Sequence, residues 1–359
     1  MHDKAQHTAR KTAFLISLDP SAGLVNGRRV LIGKKTLPDC GGPLPVPAID
    51  PQVGNSILSA VLAHLSDLHL PFEIAPSPRE LAGKRLLSLL SWRLRRSKVH
   101  LWSSLEAVMA DIRAAQPDLL AISGDLTNLG LPEELENARK WLAGTGFAQT
   151  VIPGNHDAMV PMPWSHGPGS WSHHGGMVAP EQPLLRFAGE REDVAIIGLN
   201  SAIPTPPFFA SGRVGPTQLD TLEGLLQRLG AQNICRVIMI HHPPHPNLVV
   251  RRKALEDWHR FSAVVASAGA ELILHGHSHR GTITELPGTD IPLIGVTSAS
   301  HKPDHPEKAA GWNHIAISRQ ETDWSISVTR RRLGVNGHMT SLPPVSFRRQ
   351  LSSPDSQTA

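Results

Sequence analysis

Residues 271–279 read Glu-Leu-Ile-Leu-His-Gly-His-Ser-His, an apolar run that passes directly into an imidazole-rich loop. The apolar part has strand length, and the Gly-His-Ser-His that follows contributes nothing to a core. His277 and His279 stand two positions apart, so in a local loop both rings can reach one centre. Runs of the same kind recur at 59–65, 118–123, 150–153, 194–199, 236–240 and 291–296. Helical spacing separates several of them: 102–115, with Leu105, Val108, Met109 and Ile112 on one face, then 133–142, 217–229 and 253–268. Strands alternating with helices predict an α/β architecture with much parallel pairing.

Five of these seven runs end in polar, metal-competent residues: Ser-Asp-Leu-His at 66–69, Gly-Asp-Leu-Thr-Asn at 124–128, Gly-Asn-His-Asp at 154–157, His-His-Pro-Pro at 241–244 and Gly-His-Ser-His at 276–279. In parallel sheets the carboxyl ends of the strands share one edge, where ligands bind. The five loops are therefore expected to converge.

The rest of the composition narrows the class. With 359 residues, Lys+Arg 35 against Asp+Glu 31 and 40% hydrophobic side chains, the chain can bury a large core, which excludes disorder throughout and collagen-like structure. Length alone allows about two domains, although α/β folds of 200 to 250 residues often form one. A net charge of +4 is a mild excess rather than a basic nucleic-acid face. The two cysteines, Cys40 and Cys235, form no CxxC pair or zinc-finger spacing and fit a reducing compartment; Cys235 reads as a small core or edge residue. The first twenty residues hold no apolar signal region, and no stretch approaches 18 apolar residues. A soluble, cytoplasmic protein is expected. Residues 1–58 read as a poorly ordered extension with one weak strand-like run at 29–32, residues 59–333 as the catalytic domain, and 334–359 as a flexible tail.

Each polar loop has a bland reading by itself, since Asp and Gly-Asp are good turn and cap chemistry. Jointly they supply Asp67, His69, Asp125, Asn155, one of His241 and His242, His277 and His279. Seven carboxylate, carboxamide and imidazole donors without thiolate suit Mn, Fe, Zn or Co, and exceed what one tetrahedral zinc takes. A pair of divalent ions, bridged by a carboxylate, is the economical arrangement. Asp118 and Asp193, each just before a strand, read as turn formers.

The ordered set Asp-x-His, Gly-Asp, Gly-Asn-His-Asp, His-x-Pro and Gly-His-x-His resembles the calcineurin-like metallophosphoesterase superfamily over some 220 to 270 residues. The resemblance implies a two-sheet α/β/β/α sandwich. Asp67, His69 and His279 then resemble the ligands of a first metal, Asp125 the bridging carboxylate, and Asn155, His241 and His277 the ligands of a second. His241 is chosen over His242 because the family pattern reads His-x-Pro. His156 would be no ligand but a catalytic residue beside the phosphate, and Asp157 would either orient it or close the turn. Two cations that polarise a bridging water supply hydroxide for in-line attack on a phosphoester.

Residues 78–102 interleave Lys84, Arg85, Arg93, Arg95, Arg96 and Lys98 with Leu and Trp. They read either as a core helix with a solvated basic face or as an amphipathic element that meets an anionic membrane surface or lipid through Arg93, Arg95 and Arg96. The leading expectation is a phosphodiesterase or phosphatase on a small-molecule phosphoester, similar to the cyclic-nucleotide phosphodiesterase branch. The alternatives are a pyrophosphatase similar to the UDP-diacylglucosamine hydrolases, peripheral at the inner face of a membrane, and a metal-binding scaffold without turnover.

Overall fold

The computed structural model describes residues 57–351 apart from 73–76, 78, 79 and 82. The extension expected at 1–58, with its strand-like run, lies outside the described residues up to position 56, and Ile57 and Leu58 open the first strand. That strand, β1 (Ile57–Leu65), alternates its side chains: Ala60 and Leu62 enter one buried cluster, Ala63 and Leu65 another. The period of two places one face against a second sheet and the other against helices. On either side of β1 lie β2 (Leu119–Ile122), parallel to it, and β10 (Gly311–Arg319), antiparallel.

The first sheet has seven strands. β3 (Gln149–Val151) pairs in parallel with β2; β11 (Asp323–Leu333) pairs with β10, and β12 (Met339–Ser341) and β13 (Val345–Gln350) both pair antiparallel with β11. The second sheet has six, in the order β4 (Leu184–Ala188), β5 (Val194–Leu199), β6 (Cys235–Ile240), β7 (Leu272–His275), β9 (Pro292–Gly295) and β8 (Ile283–Glu285). β5, β6, β7 and β9 run parallel. Helices α2 (Trp102–Ala115) and α3 (Pro132–Ala143) cover the first sheet through Leu105, Val108, Ile112, Leu135, Ala138 and Leu142. Helices α4 (Pro216–Ala231) and α5 (Trp258–Ala268) cover the second through Leu219, Leu222, Leu226, Phe261 and Val265. The layers are thus α/β/β/α, with Leu62, Leu119, Ile196, Val237, Leu274, Ile315 and Ile326 packed between the sheets. Cys235 lies in that same core, where burial pushes its thiol pKa up.

Three sequence expectations change. The flexible tail drawn from Gly334 instead holds β12 and β13, with only residues 352–359 beyond description. β13 presents Ser346, Arg348 and Gln350 between half-exposed neighbours, so its order comes from backbone pairing with β11 and from Phe347 on the core, not from an apolar run. β10 and β11 likewise hold no continuous apolar run, because polar side chains alternate with Ile315, Ile317, Ile326 and Val328. The helix expected at 253–268 starts only at Trp258, since Leu255 bridges to Gly212 and Glu256 N–H donates to the Gly212 carbonyl. Asp118 and Asp193 act between strands, accepting from Val61 N–H at 2.6 Å and from the Ser59 hydroxyl at 3.1 Å.

One ion pair ties the second sheet to its helices. Arg236 and Glu271 are buried and bond in fork geometry at 2.6 and 3.0 Å, while Arg236 also donates to the carbonyls of Leu226 and Ala268 near the ends of α4 and α5. Removing one partner leaves a buried charge without compensation, which costs about 3–5 kcal/mol. Glu271→Ala should lower the urea unfolding free energy by that amount; a change under about 1 kcal/mol would show the pair to be dispensable.

Candidate metal centre

The loops after β1, β2 and β3 in one sheet and after β6 and β7 in the other meet at the seam between the sheets. Asp67, His69, Asp125, His277 and His279 all have left-handed backbone, with φ of 53°, 45°, 55°, 62° and 52°. This conformation costs of order 1–3 kcal/mol per residue and persists only where the surroundings over-determine it. Here it reverses the chain directly beyond each strand, so that donors two positions apart face one point. Two glycines permit the crossing of the β2 and β3 loops. A Cβ on Gly124 would lie 2.6 Å from Gly154 N, and one on Gly154 would lie 2.2 Å from Asp125 Oδ1.

The carboxylates stand at the middle. Asp125 Oδ1 accepts the His156 backbone N–H at 2.7 Å, and Oδ2 faces His241 Nε2 at 3.4 Å. Asp67 Oδ2 accepts the His277 N–H at 3.0 Å, and Oδ1 lies 3.1 Å from His279 Nε2. Donor atoms of Asp67, His69 and Asp125 fall within 4.8 Å of one another, as do those of His241, His242 and His277. The ring nitrogens are sorted by their other bonds. With Nδ1–H assigned as the donor to Thr127 in His69 (3.1 Å) and to Ser123 in His241 (2.7 Å), each Nε2 is turned into the cluster, that of His69 toward Arg96 at 3.2 Å and that of His241 toward Asp125 at 3.4 Å. His277 Nε2 bonds the Lys253 carbonyl at 3.0 Å, leaving Nδ1.

Whether these residues fit a metal is tested by their unmet bonding. Asn155 Oδ1 is buried with no hydrogen-bond partner, and the buried Asp67 Oδ1 and His241 Nε2 face only the His279 imidazole at 3.1 Å and the Asp125 carboxylate at 3.4 Å. Buried donors so incompletely bonded are costly, and their convergence suits cations. Burial, reinforced by neighbouring cationic groups, holds His69 and His277 well below their ordinary pKa, so both are neutral and able to ligate. Burial would lower His241 too, but the Asp125 carboxylate overrides it and lifts the pKa to about 9. His242 Nδ1 lies 2.8 Å from the Ser201 hydroxyl, while its Nε2 is buried without a hydrogen-bond partner.

Asp157 accepts from the N–H groups of Leu126, Thr127 and Gly154 and from the Thr127 hydroxyl, so it clamps the β2 and β3 loops rather than orienting the His156 ring. The His156 ring bonds the Asn128 carbonyl through Nδ1 at 2.6 Å. Arg96, expected with Arg93 and Arg95 at a membrane surface, points inward instead: its guanidinium lies 3.1 Å from Nε2 of His156 and 3.2 Å from Nε2 of His69. Burial, then Arg96, lowers the His156 pKa to about 3. Arg93 and Arg95 remain exposed on and beyond α1 (Lys84–Leu94). His100, absent from the sequence reading, packs its ring 4.4 Å from His69 and bonds Ser300 at 2.9 Å. Neither residue follows a strand, so the pattern of apolar runs held no signal for them; the density of cations at 84–98 was the only hint. A cavity of about 450 Å³ opens over Asp125, Asn155, His156, His277 and His279. Among the described residues, no helix is long and apolar enough to cross a membrane.

A four-layer sandwich with Asp, Asn and His gathered on its strand ends defines a phosphoester-hydrolase architecture. The chain belongs to the calcineurin-like phosphoesterase family, whose profile matches residues 60–281, and it is a hydrolase. It is 32% identical over 214 residues to a Synechococcus protein named "Probable cyclic nucleotide phosphodiesterase", covering 59% of this chain and 76% of that one. It is 24% identical over 250 residues to the glycerophosphodiester phosphodiesterase GpdQ of Enterobacter lignolyticus, covering 66% and 77%. A dimetal phosphatase from Danio rerio shares the fold with a TM-score of 0.54 at 12% identity, over 82% of this chain and 100% of that one.

The crossing of Gly124 and Gly154 yields a direct test. Gly154→Ala should leave far-ultraviolet circular dichroism unchanged and lower the bound metal per chain, because the methyl displaces the Asp125 carboxylate. Undiminished metal content would mean that the carboxylate is not positioned by this contact.

Proposed function

We propose that the protein is a two-metal hydrolase of small-molecule phosphoesters, a phosphodiesterase or phosphatase, with its catalytic unit extending to the end of β13. The observation that carries this reading is the set of buried, incompletely bonded donor atoms on Asp67, Asn155 and His241 in one converging cluster. Asp67, His69 and His279 would hold one ion, Asn155, His241 and His277 the other, with Asp125 between them. The names of the Synechococcus and Enterobacter relatives support a phosphodiester as one substrate class. Mn, Fe, Zn and Co all suit the donor set.

When bound, two such ions neutralise charge on the phosphoryl oxygens and activate water for in-line attack. The protein's own groups do the rest. His156 is anchored through Nδ1 to Asn128, which leaves Nε2 beside the Arg96 guanidinium at 3.1 Å in the wall of the cavity. Held neutral in the free protein, it gains proton affinity when negative charge arrives, and so suits stabilisation or protonation of the leaving oxygen. Asp157 keeps the loop that carries it in place.

Asp125→Ala should lose bound metal and hydrolysis of bis(p-nitrophenyl) phosphate together, as read by elemental analysis and initial rates. Normal metal content in that variant would defeat the bridging assignment. His156→Ala should keep both ions and lose about 10²- to 10⁴-fold in kcat, the range of general acid–base catalysis. Metal loss matching that of Asp125→Ala would instead make His156 a ligand.

A further inference from the structure

Three cationic side chains line the cavity over the candidate metal centre without a carboxylate of their own. Lys84 comes from the first turn of α1, Arg96 from the turn beyond it and Lys253 from the turn before α5. Among the described residues none of the three lies within ion-pair distance of an Asp or Glu. Lys84 donates to the Thr205 hydroxyl at 2.5 Å, and Arg96 rests on the rings of His69 and His156. Enclosure lowers the pKa of each, and the Asp125 carboxylate pulls each back toward its charged form, so all three sense the same point. The donor set contributes only two carboxylates, Asp67 and Asp125. A phosphodiester brings one negative charge; two divalent ions and three cations exceed that by a wide margin. A guanidinium brought beside the scissile position without a carboxylate partner suits an oxygen that carries a full charge.

We propose that Arg96, assisted by Lys84 and Lys253, selects substrates bearing two negative charges at or next to the scissile phosphorus, a phosphomonoester or a diphosphate, over a phosphodiester with one. Arg96 acts by binding the second anionic oxygen; the chemistry of P–O cleavage is unaltered. Leu87, Met159, Phe208 and Phe209 line the same cavity and offer apolar contact to the remainder of the molecule. The proposal rests on the hydrolase reading of the site, and its test separates the two.

The probes are phenylphosphonate, a dianion at pH 8.5, and its monomethyl ester, a monoanion of nearly the same shape, each titrated by calorimetry into the metal-loaded full chain. Arg96→Gln should weaken phenylphosphonate binding by about tenfold or more, the scale of one charge-assisted hydrogen bond, and the monoanion by about twofold or less. Lys84→Met and Lys253→Met should shift the ratio the same way by less, and Arg96→Lys should restore part of it. An equal loss for both probes, or none, would overturn the proposal. So would a rise in bound metal in Arg96→Gln, which would show that the guanidinium occupies an ion's place. Turnover of p-nitrophenyl phosphate against diadenosine diphosphate then separates monoester from diphosphate. Failure of the wild type to hydrolyse either of these or bis(p-nitrophenyl) phosphate would sink the small-molecule phosphoester reading, while the binding ratio still decides the role of Arg96.

Discussion

The seam between the two sheets is the constraint on which the candidate site depends. Asp67, His69, Asp125, Asn155 and His156 stand beyond strands of the first sheet; His241, His277 and His279 stand beyond strands of the second. The contacts of Asp125 with His241, and of Asp67 with His277 and His279, therefore cross from sheet to sheet. They exist only while Leu62, Leu119, Val237, Leu274 and their neighbours hold the sheets face to face. Hydrophobic burial, which has no direction of its own, thus supplies the force that brings directional donors into register.

The polar centre gathered this way is expensive. Two carboxylates and a cluster of imidazoles are withdrawn from water, several with left-handed backbone, and donor atoms of Asp67, Asn155 and His241 are incompletely bonded. Such local cost has to be offset elsewhere, and the apolar clusters between the sheets and beneath the helices are where burial can do so. The burial that raises the cost also keeps most of the imidazoles neutral, which is the state a ligand needs. The loops are secured from beneath by Asp157, whose pKa rises to about 7 through burial and the charge of Asp125.

Cations complete the electrostatic picture. α1 and the turn after it lie between the first and second donor loops in sequence, and they present opposite characters to opposite sides. Arg96 turns into the cavity beside His69 and His156, while Leu86, Leu90 and Leu94 are exposed. The arginine's neighbours in sequence, Arg93 and Arg95, stay in solvent. One helical segment therefore serves both the site and the surface around its mouth.

The five donor loops could be read from sequence because each follows a mostly apolar run that ends in buried strand, as in β2, β6 and β7, and a buried strand that passes into Asp or His is conspicuous. The parallel order of those strands then implied convergence, and the family resemblance supplied the second sheet. What lay hidden depended on contacts between distant segments. β10 to β13 are half-exposed and owe their order to pairing with one another and with β1, so no local run announces them. Arg96 and His100 enter the site from a segment whose composition equally suits a solvated face, and only the fold brings them beside His69. Residue type and spacing, which are properties of a short stretch, determined the chemistry available to this protein. The direction in which Arg96 and Asp157 spend their bonds was decided by tertiary packing, because hydrogen-bond partners some thirty or more residues away exist only once the chain has folded.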